Sequence, residues 1–543
     1  MIKGKTLQGW FGFKSLLILI PCAAFIYGLY TFSIGWYNPI LDKHEFRQTQ
    51  TALSVYWMLK EGGIVAYQTP VCGAPWTIPF EFPLYQWIVA AMYLITKMPL
   101  DQCGKLVSIV FFYMTLLPVY SLFKNLKFDK ELFYVFSALL FACPVYLFWS
   151  RTFMIESLAL FLSLSYVALI QQYVSTRRTI LVFVVMLVGS VASLVKLTTF
   201  VPACVFAGGL LARDYCANVD RRISKDVVDG LVASLLFILT PILLCVVWTN
   251  YADMIKTNSG ELSAMLVSNK LEAWVFGTCA QRVSYALWVQ TILKSISLNM
   301  GYYSIVLYGV ALCICSRSRE IGYALWSLFC FVSSFLVFTN LYIVHDYYQY
   351  ENAIYLILFA SFVVYKLAST HRFRFTALAL LLATMCLQYY SYNYVAFDPQ
   401  YKPPYRSVLD EDTTRHRDFI VGTFIDNNVS SEAAIVVYGN DWCPTIAYYS
   451  KRKSVTDHLR GDYRERLKNV KGLLGGKAIG AVVVCSPNRL ENDEIARKAL
   501  NRMTTGSLVT NIYNAKVYYF PSRSATRDKV LELNRTHTIE IGR

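Results

Sequence analysis

Residues 15–36 read SLLILIPCAAFIYGLYTFSIGW, and residues 37–52 continue as YNPILDKHEFRQTQTA. The first run is apolar and long enough for a transmembrane helix, since about 20 such residues cross a hydrocarbon core of about 30 Å. It follows Lys14, exceeds the core of a signal peptide and lacks a small-residue cleavage pattern. We therefore predict an uncleaved membrane anchor that is followed directly by a strongly polar segment.

The composition extends this interpretation to most of the chain. Of the 543 residues, 56% are hydrophobic and 16% are charged, and the mean hydropathy is +0.41. Soluble domains carry roughly 25% charged residues, so this chain has too little polar surface for several of them. The same composition excludes disordered, collagen-like and small disulfide-rich proteins. The net charge of +16 would suggest nucleic acid for a soluble protein, but here we expect membrane lipid and no nucleic acid.

Further apolar stretches follow the anchor and bring the total to about eleven predicted spans. They cover residues 105–123, 131–149, 153–173, 179–195, 197–212, 227–249, 301–315, 321–340, 350–367 and 374–393. A shorter apolar stretch, up to Ile95, is interpreted as a helix at the outer interface of the membrane. The sequence therefore predicts a polytopic α-helical membrane protein.

The basic residues predict the orientation of these spans. Lys and Arg concentrate in alternate short connections, for example at Lys124, Lys127 and Lys130. Cytoplasmic connections carry such an excess. We therefore predict a cytoplasmic N-terminus, with three longer segments on the outer side: residues 37–104, residues 250–300 and the tail from about residue 394.

The tail changes character after the last predicted span. Short apolar runs at Ala433–Tyr438 and Ala478–Val484 are separated by a charged, helix-like stretch at Tyr463–Leu474. Alternating strand and helix signals are typical of an α/β domain in water. The sequence therefore predicts a transmembrane module over residues 1–395 and a soluble α/β domain on the outer face over residues 396–543.

Two pairs of cysteines lie in the predicted outer segments. Cys72 and Cys103 share the first segment, and Cys443 and Cys485 share the tail, whereas most of the 14 cysteines lie in predicted spans. Either pair would suit a disulfide in an oxidising compartment. Spacing leaves both pairings open. No histidine or cysteine spacing predicts a zinc site.

The polar segment after the anchor is the first candidate site. Asp42, His44, Glu45 and Arg47 fall within a few residues of one another. If this segment is helical, Asp42 and Glu45 lie three residues apart on one face. A carboxylate beside cations suits a site that deprotonates an acceptor hydroxyl and holds a phosphate. The segment also fits an amphipathic surface helix whose charges face lipid headgroups, and composition leaves both interpretations open.

Ionisable residues at the outer ends of later spans form a second candidate set. A charge inside a membrane is costly, so its default interpretation is functional. A structural ion pair such as Arg151–Glu156 is the alternative. The set consists of Arg151, Glu156, Lys196, Arg282, His345 and Asp346.

These features resemble the GT-C superfamily of glycosyltransferases, and within it the protein-mannosyltransferase and aminoarabinose-transferase branch (glycosyltransferase family 39-like). The resemblance rests on the first outer segment from Asp42 to Ala52, on Glu81–Trp87, and on Arg151 to Glu156. The chain departs from the branch at Lys43, where protein-mannosyl members have a second acidic residue. It also has Glu81 where the aminoarabinose enzymes usually carry lysine.

The resemblance implies an inverting transfer of a sugar from a polyprenyl-phosphate carrier to a glycan, lipid or protein acceptor. Asp42 would be the base that activates the acceptor, assisted by Glu45. Donor phosphate would be held by Arg151, Lys196 and Arg282, with Arg47 as a further cation. The remaining predicted substrate-binding residues are His44, Glu81, Glu156, His345 and Asp346. No cofactor is certain, although Asp42 and Glu45 would suit a divalent cation. The expected location is a bacterial inner membrane, with the site facing the periplasm.

Two other functions share some of these features. A transporter or flippase of a lipid-linked sugar would have similar spans, but it would favour paired repeats and broken central helices. An enzyme like the O-antigen ligases would concentrate its site in a late outer loop with Arg and His. Arg282 and His345 support that alternative, whereas the acidic first segment supports the glycosyltransferase interpretation.

Overall fold

The structure is a computed structural model that describes residues 2–218, 225–315, 318–396, 414–485, 490 and 492–522. The chain divides into two compact units. The helical unit comprises Met1–Asn38, Glu81–Tyr251 and Ser268–Ser407, and the sheet unit comprises Pro39–Phe80, Ala252–Val267 and Val408–Arg543. The predicted boundary at residue 395 does not coincide with this division, because residues 39–80 fold with the tail.

The helices up to residue 394 are numbered in chain order. They are α1 (Ile2–Ser33), α2 (Glu45–Glu61), α3 (Leu84–Thr96), α4 (Leu100–Met114), α5 (Leu116–Asn125), α6 (Lys130–Ala142), α7 (Pro144–Trp149), α8 (Glu156–Thr176), α9 (Thr179–Val195), α10 (Leu197–Asn218), α11 (Lys225–Asn258), α12 (Glu261–Ala264), α13 (Glu272–Phe276), α14 (Cys279–Arg282), α15 (Lys294–Met300), α16 (Ser304–Ile314), α17 (Arg319–Val337), α18 (Thr339–Val344), α19 (Gln349–Ser369) and α20 (Arg374–Tyr394). A π-helix over Ala286–Leu293 precedes α15. Helices α2 and α12 belong to the sheet unit.

Seven helices among the described residues are long and apolar enough to cross a membrane. They cover Ser15–Ser33, Leu100–Asn125, Glu156–Thr176, Gly230–Asn258, Arg319–Val337, Asp346–Ser369 and His371–Tyr394. Ala286–Met300 and Ser304–Ile314 form a pair bent by 80°, which would count as one more span. The chain is thus a polytopic helical membrane protein, whereas the count of about eleven spans and the cytoplasmic N-terminus stay predictions.

The predicted span over 131–149 is two helices rather than one. Helix α6 ends at Ala142 and α7 begins at Pro144, with Cys143 between them in an extended conformation (φ −69°, ψ 123°). Proline has no backbone N–H to donate, and it biases the preceding residue away from helical geometry. The proline at position 144 therefore accounts for the break.

Lys196 separates two more of the predicted spans. Helix α9 is 17 residues long and ends at Val195, and α10 starts at Leu197. Lys196 itself is extended, with φ −163° and ψ 103°. This break separates two helices that both pack against α8, and α19 packs against α6, α17 and α20.

The tail of the chain forms the sheet of the sheet unit. Its elements are α21 (Thr414–Asn428), β1 (Ala434–Tyr438), α22 (Thr445–Ser450), β2 (Ser454–Asp457), α23 (Tyr463–Lys468), α24 (Val470–Leu473), β3 (Ile479–Val484), α25 (Glu494–Met503), β4 (Leu508–Ile512) and β5 (Ala515–Tyr519). The strand order is β2-β1-β3-β5-β4. Strand β1 is parallel to β2 and β3, and β5 is antiparallel to β3 and β4. The predicted small α/β fold of the tail is therefore confirmed.

The first outer segment extends the edge of this sheet. The backbone N–H groups of Ser454 and Thr456 on β2 donate to the carbonyls of Pro70 and Val71, at 3.0 and 2.8 Å. These bonds satisfy the outer edge of β2, which would otherwise be an unpaired strand edge. Residues 39–80 thus belong to the sheet unit through main-chain pairing as well as side-chain packing.

Candidate functional site

The acidic segment lies in the sheet unit immediately before α2. Asp42 is only 6% exposed, and it follows Ile40 and Leu41, whose side chains are fully buried. His44 has a left-handed conformation (φ 57°, ψ 43°), and the helix begins at Glu45. Non-glycine residues adopt this conformation rarely. The turn at His44 therefore directs the chain from Asp42 into the helix.

This geometry corrects the expectation that Asp42 and Glu45 share one helical face. Asp42 and Lys43 lie outside the helix, and Glu45 occupies its first turn, where a carboxylate is favoured by the helix dipole. Arg47 on the same turn donates from Nη1 to Gln50 Oε1 at 2.8 Å. The two carboxylates thus occupy different local environments, one in a buried turn and one at a helix N-terminus.

Helix α2 differs from an amphipathic helix on a membrane surface. Its residues from Gln48 to Val55 are buried without a break, including the polar Gln48, Thr49, Gln50 and Thr51. A surface helix would expose its polar face to water and headgroups. The burial of these polar residues therefore favours the interpretation that this segment belongs to an enclosed site rather than to a membrane surface.

An aromatic stack lies beside the first turn of α2. The Trp442 ring is perpendicular to the Phe46 ring at 4.5 Å between centroids and stacks on Phe80 at 5.4 Å. The ammonium group of Lys256 lies 5.8 Å from the centroid of Phe80. Trp442 comes from the loop after β1, so the tail contributes directly to the surroundings of the acidic segment.

The helical unit contains a separate cluster of buried charges at the break between α9 and α10. Lys196 Nζ lies 2.7 Å from Glu156 Oε1 and 2.5 Å from Glu351 Oε1. The three side chains are at most 5% exposed. Thr198 also donates to Glu351 Oε1, at 2.7 Å. Lys196 therefore has two carboxylate partners, and its positive charge is already balanced.

Glu351 was not among the residues predicted from the sequence. It lies in the first turn of α19, inside the predicted span 350–367. A carboxylate within an apolar span is a functional candidate by the same argument that selected Lys196. The signal was therefore present in the sequence, but the pairing of Glu351 with Lys196 depends on the packing of distant helices.

Aromatic and hydroxyl groups surround this cluster. The Lys196 ammonium group lies 4.6 Å from the centroid of Tyr348 and 5.4 Å from that of Tyr347. Such cation–π contacts stabilise a cation that has left water. The Tyr350 hydroxyl lies 2.8 Å from Ser157 Oγ, in the turn of α8 that also carries Glu156.

Arg151 lies five residues before Glu156, and both side chains are buried. The guanidinium of Arg151 is 3% exposed and lies 5.1 Å from the centroid of Phe148. Glu156 Oε2 is buried and has no hydrogen-bond partner among the described residues. A buried carboxylate oxygen of this kind is costly unless a ligand or water satisfies it.

The other predicted residues of the helical unit have different surroundings. Arg282 donates to the backbone carbonyls of Leu336 and Phe276 at 2.9 and 3.0 Å, so it connects helix ends. His345 and Asp346 are half-buried at the start of the turn that carries Tyr347 and Tyr348. Glu81 is also half-buried, next to Phe82, whose N–H donates to the Leu194 carbonyl at 3.1 Å.

Neither a metal centre nor a disulfide is evident in the part of the chain that the structure describes. No group of three or more His, Cys, Asp or Glu side chains there is arranged to hold a metal ion. All 14 cysteines are free thiols. In the sheet unit, burial raises the pKa of Cys72 and of Cys485 to about 12, so both are poorly reactive at neutral pH.

Comparison with known proteins gives no match for the sequence but clear matches for the fold. No protein-family model and no curated protein matches the sequence. The fold is similar to that of ArnT from Cupriavidus metallidurans bound to undecaprenyl phosphate, with a TM-score of 0.57 and 12% identity. That match covers 93% of this chain and 98% of ArnT.

A second match is the archaeal oligosaccharyltransferase AglB from Archaeoglobus fulgidus, in complex with an inhibitory peptide and a dolichol-phosphate. Its TM-score is 0.50 at 10% identity, and the match covers 94% of this chain and 75% of AglB. Together the two matches show that the chain has the fold of the GT-C glycosyltransferases. The resemblance inferred from the sequence is confirmed at the level of the fold.

Proposed function

We propose that this protein is an inverting glycosyltransferase that moves a sugar from a polyprenyl-phosphate carrier to an acceptor. The observation that carries the proposal is the GT-C fold, shared over 93% of the chain with a protein whose structure holds undecaprenyl phosphate. Such a transfer requires a carboxylate and a cation, and Asp42 and Arg151 are buried side chains of these two kinds. A single carboxylate accepts the proton, and cations stabilise the departing phosphate.

Asp42 is the proposed base. The acceptor hydroxyl attacks the anomeric carbon, its proton passes to the Asp42 carboxylate, and the bond between that carbon and the phosphate oxygen breaks. The electron pair of this bond stays on the polyprenyl phosphate, and attack from the opposite side inverts the anomeric configuration. The low exposure of Asp42 supports this role, because a carboxylate with little water around it is available to a bound hydroxyl. Glu45, His44 and Arg47 would orient the acceptor.

Arg151 is the proposed cation for the donor phosphate. Lys196 was predicted for the same role, but its charge is already balanced by Glu156 and Glu351. We therefore assign Lys196 to holding these two carboxylates in place. Glu156 Oε2, which has no partner among the described residues, would accept a hydrogen bond from a sugar hydroxyl.

The remaining assignments follow from the same proposal. Glu81, His345 and Asp346 would line the sugar site, and Arg282 would stabilise the helix ends that it connects. The expected setting is a bacterial inner membrane with the reaction on the periplasmic side. The acceptor would be a glycan, a lipid or a protein of the cell envelope.

The test is sugar transfer by the full chain in lipid nanodiscs. Undecaprenyl phosphate carrying a radiolabelled pentose serves as the donor, and a lipid extract of bacterial envelopes serves as the acceptor. Asp42→Asn should slow turnover by about 10²–10⁴-fold, the usual contribution of a general base. Asp462→Asn is the matched control, because Asp462 is exposed in the same unit, and it should leave turnover unchanged.

Other outcomes would contradict the proposal in specific ways. Normal turnover by Asp42→Asn would remove Asp42 from the mechanism. Movement of the intact labelled donor across a vesicle membrane, without cleavage, would identify a transporter instead. Loss of transfer in His345→Ala with full activity in Asp42→Asn would favour an enzyme like the O-antigen ligases.

A further inference from the structure

The acidic segment depends on the tail of the chain for its conformation. Asp42 lies in a turn rather than in a helix, and His44 in that turn has an unfavourable left-handed conformation. Such a conformation is strained and persists where surrounding contacts impose it. Three of the contacts around this turn come from the tail.

The first contact lies just before Asp42. The backbone N–H of Ile40 donates to the Tyr449 hydroxyl at 2.9 Å. Ile40 is fully buried, so its N–H would be unsatisfied without this partner. Tyr449 is itself held by Phe419 on α21, whose ring is perpendicular to it at 4.7 Å between centroids.

The second contact lies after Asp42, on α2. The hydroxyls of Thr49 and Thr445 are 3.2 Å apart and buried. Thr49 already donates to the Glu45 carbonyl at 2.7 Å, and a hydroxyl has one proton, so Thr445 is the donor of this pair. Cys443 Sγ lies 3.3 Å from Thr445 Oγ1, and its thiol can donate a hydrogen bond to that hydroxyl. A chain of hydrogen bonds thus connects the tail to the residue that begins α2.

The third contact is the perpendicular packing of Trp442 on Phe46, described above. The loop that carries Trp442 is fixed where it leaves β1, because Asn440 donates to the buried Asp418 carboxylate at 2.9 Å. Arg417 forms an ion pair with the same carboxylate at 2.7 Å. Burial nevertheless raises the pKa of Asp418 above its ordinary value, in spite of the Arg417 charge.

These three contacts come from one short stretch of the tail, residues 442–449. We infer that Trp442, Thr445 and Tyr449 in this stretch are positioning residues that hold the Asp42–Arg47 segment in its reactive conformation. This inference rests on the proposed function. By this inference, the tail contributes to catalysis because it positions the base, Asp42.

The experiment compares Tyr449→Phe and Thr445→Val with the unaltered chain in the transfer assay. Each variant removes one hydrogen bond but little volume. We expect kcat to fall about tenfold, because small displacements of a catalytic group are costly, while KM for the donor changes less than twofold. Thr445→Ser keeps the hydroxyl and should restore kcat. Tyr518→Phe, on β5 of the same unit, is the matched control and should leave kcat unchanged.

Hydrogen exchange supplies a readout that does not require activity. Tyr449→Phe should speed exchange at the Ile40 amide by about 2–10-fold, which corresponds to the loss of one hydrogen bond. The Thr456 amide, which donates to Val71, should exchange at its original rate. Faster exchange together with reduced kcat supports the inference.

The failures of the two proposals are distinguishable. An unaltered chain that transfers no sugar contradicts the proposed function. An active chain whose kcat is unaffected by Tyr449→Phe and Thr445→Val overturns the inference, whatever the exchange rates. Unchanged exchange at Ile40 in Tyr449→Phe also overturns it, because the hydrogen bond would then contribute nothing to the order of the segment.

Discussion

The ionic cluster of the helical unit and the acidic segment of the sheet unit both contain buried carboxylates, and different kinds of contacts are described around them. Glu156 and Glu351 share Lys196 as the cation of two direct ion pairs. The Asp42 turn has neutral contacts to the tail, such as the hydrogen bond from Ile40 to Tyr449. In the first case the charges themselves hold the structure together. In the second, neutral contacts between neighbouring residues and the tail contribute to the placement of the carboxylate.

This difference has a consequence for mutational analysis. Removing one member of the ionic cluster leaves another charge buried without compensation, so stability and activity should fall together. Loss of activity alone therefore does not identify a catalytic residue in the cluster. In the acidic segment, a fall in turnover at an unchanged unfolding midpoint would separate a chemical role from a structural one.

The largest effect is expected for Lys196→Met. Breaking a buried ion pair by removing one partner costs about 3–5 kcal/mol, and here two carboxylates lose their cation. Thermal unfolding monitored by tryptophan fluorescence should show a strongly lowered midpoint. The matched control is Lys366→Met, because Lys366 is partly exposed and lies 3.9 Å from Glu320. Its cost should be below about 1 kcal/mol. A stable Lys196→Met variant would show that the cluster does not hold the helices together.

A smaller effect is expected for Glu45→Gln in the acidic segment. This change keeps the size of the side chain but removes its charge at the start of α2. We expect turnover to fall about tenfold, the equivalent of about 1.4 kcal/mol, with little change in the unfolding midpoint. Glu465→Gln, at an exposed position of the same unit, is the control. If Glu45→Gln abolishes turnover while Asp42→Asn does not, the roles of the two carboxylates are reversed.

The smallest effect concerns the pH dependence of the sheet unit. Burial raises the pKa of Glu61, but the hydrogen bond and charge of Lys453 outweigh burial and hold it below the ordinary value. A carboxyl group with a lowered pKa in the folded state stabilises it above the unfolded pKa, and this contribution is lost as pH falls through the folded pKa. Exchange of backbone amides near Glu61 should therefore accelerate as the pH falls below the ordinary pKa of a glutamate and through the lowered pKa of Glu61. In Glu61→Gln this local pH dependence should disappear.

The general class of the protein could be predicted from its sequence because it follows from short-range patterns. Apolar runs give the membrane helices, and the alternation from Ala433–Tyr438 to Ala478–Val484 gives the α/β fold of the tail. All five residues of β1 are buried, as a continuous apolar run in a parallel sheet suggests. The break at Pro144 could also have been predicted, since the residue before a proline disfavours helix.

The details of the sites could not be predicted, because they depend on contacts between distant residues. The partners of Lys196 lie on α8 and α19, and sequence spacing does not show which helices meet at the break. The left-handed conformation of His44 opposes the local preference of the chain, so it too is determined by tertiary contacts. For the same reason, sequence patterns do not indicate that Pro70 and Val71 pair with β2.

The sheet unit is composed of three separate stretches of chain. During synthesis the ribosome makes residues 39–80 long before the strands that complete the unit. The acidic segment is therefore made before the tail residues that contact it, and the later helices are synthesised in between. A chain terminated near residue 395 would retain Asp42 and Glu45 but would lack Trp442, Thr445 and Tyr449. The last quarter of the polypeptide thus influences when the first candidate site acquires its final contacts.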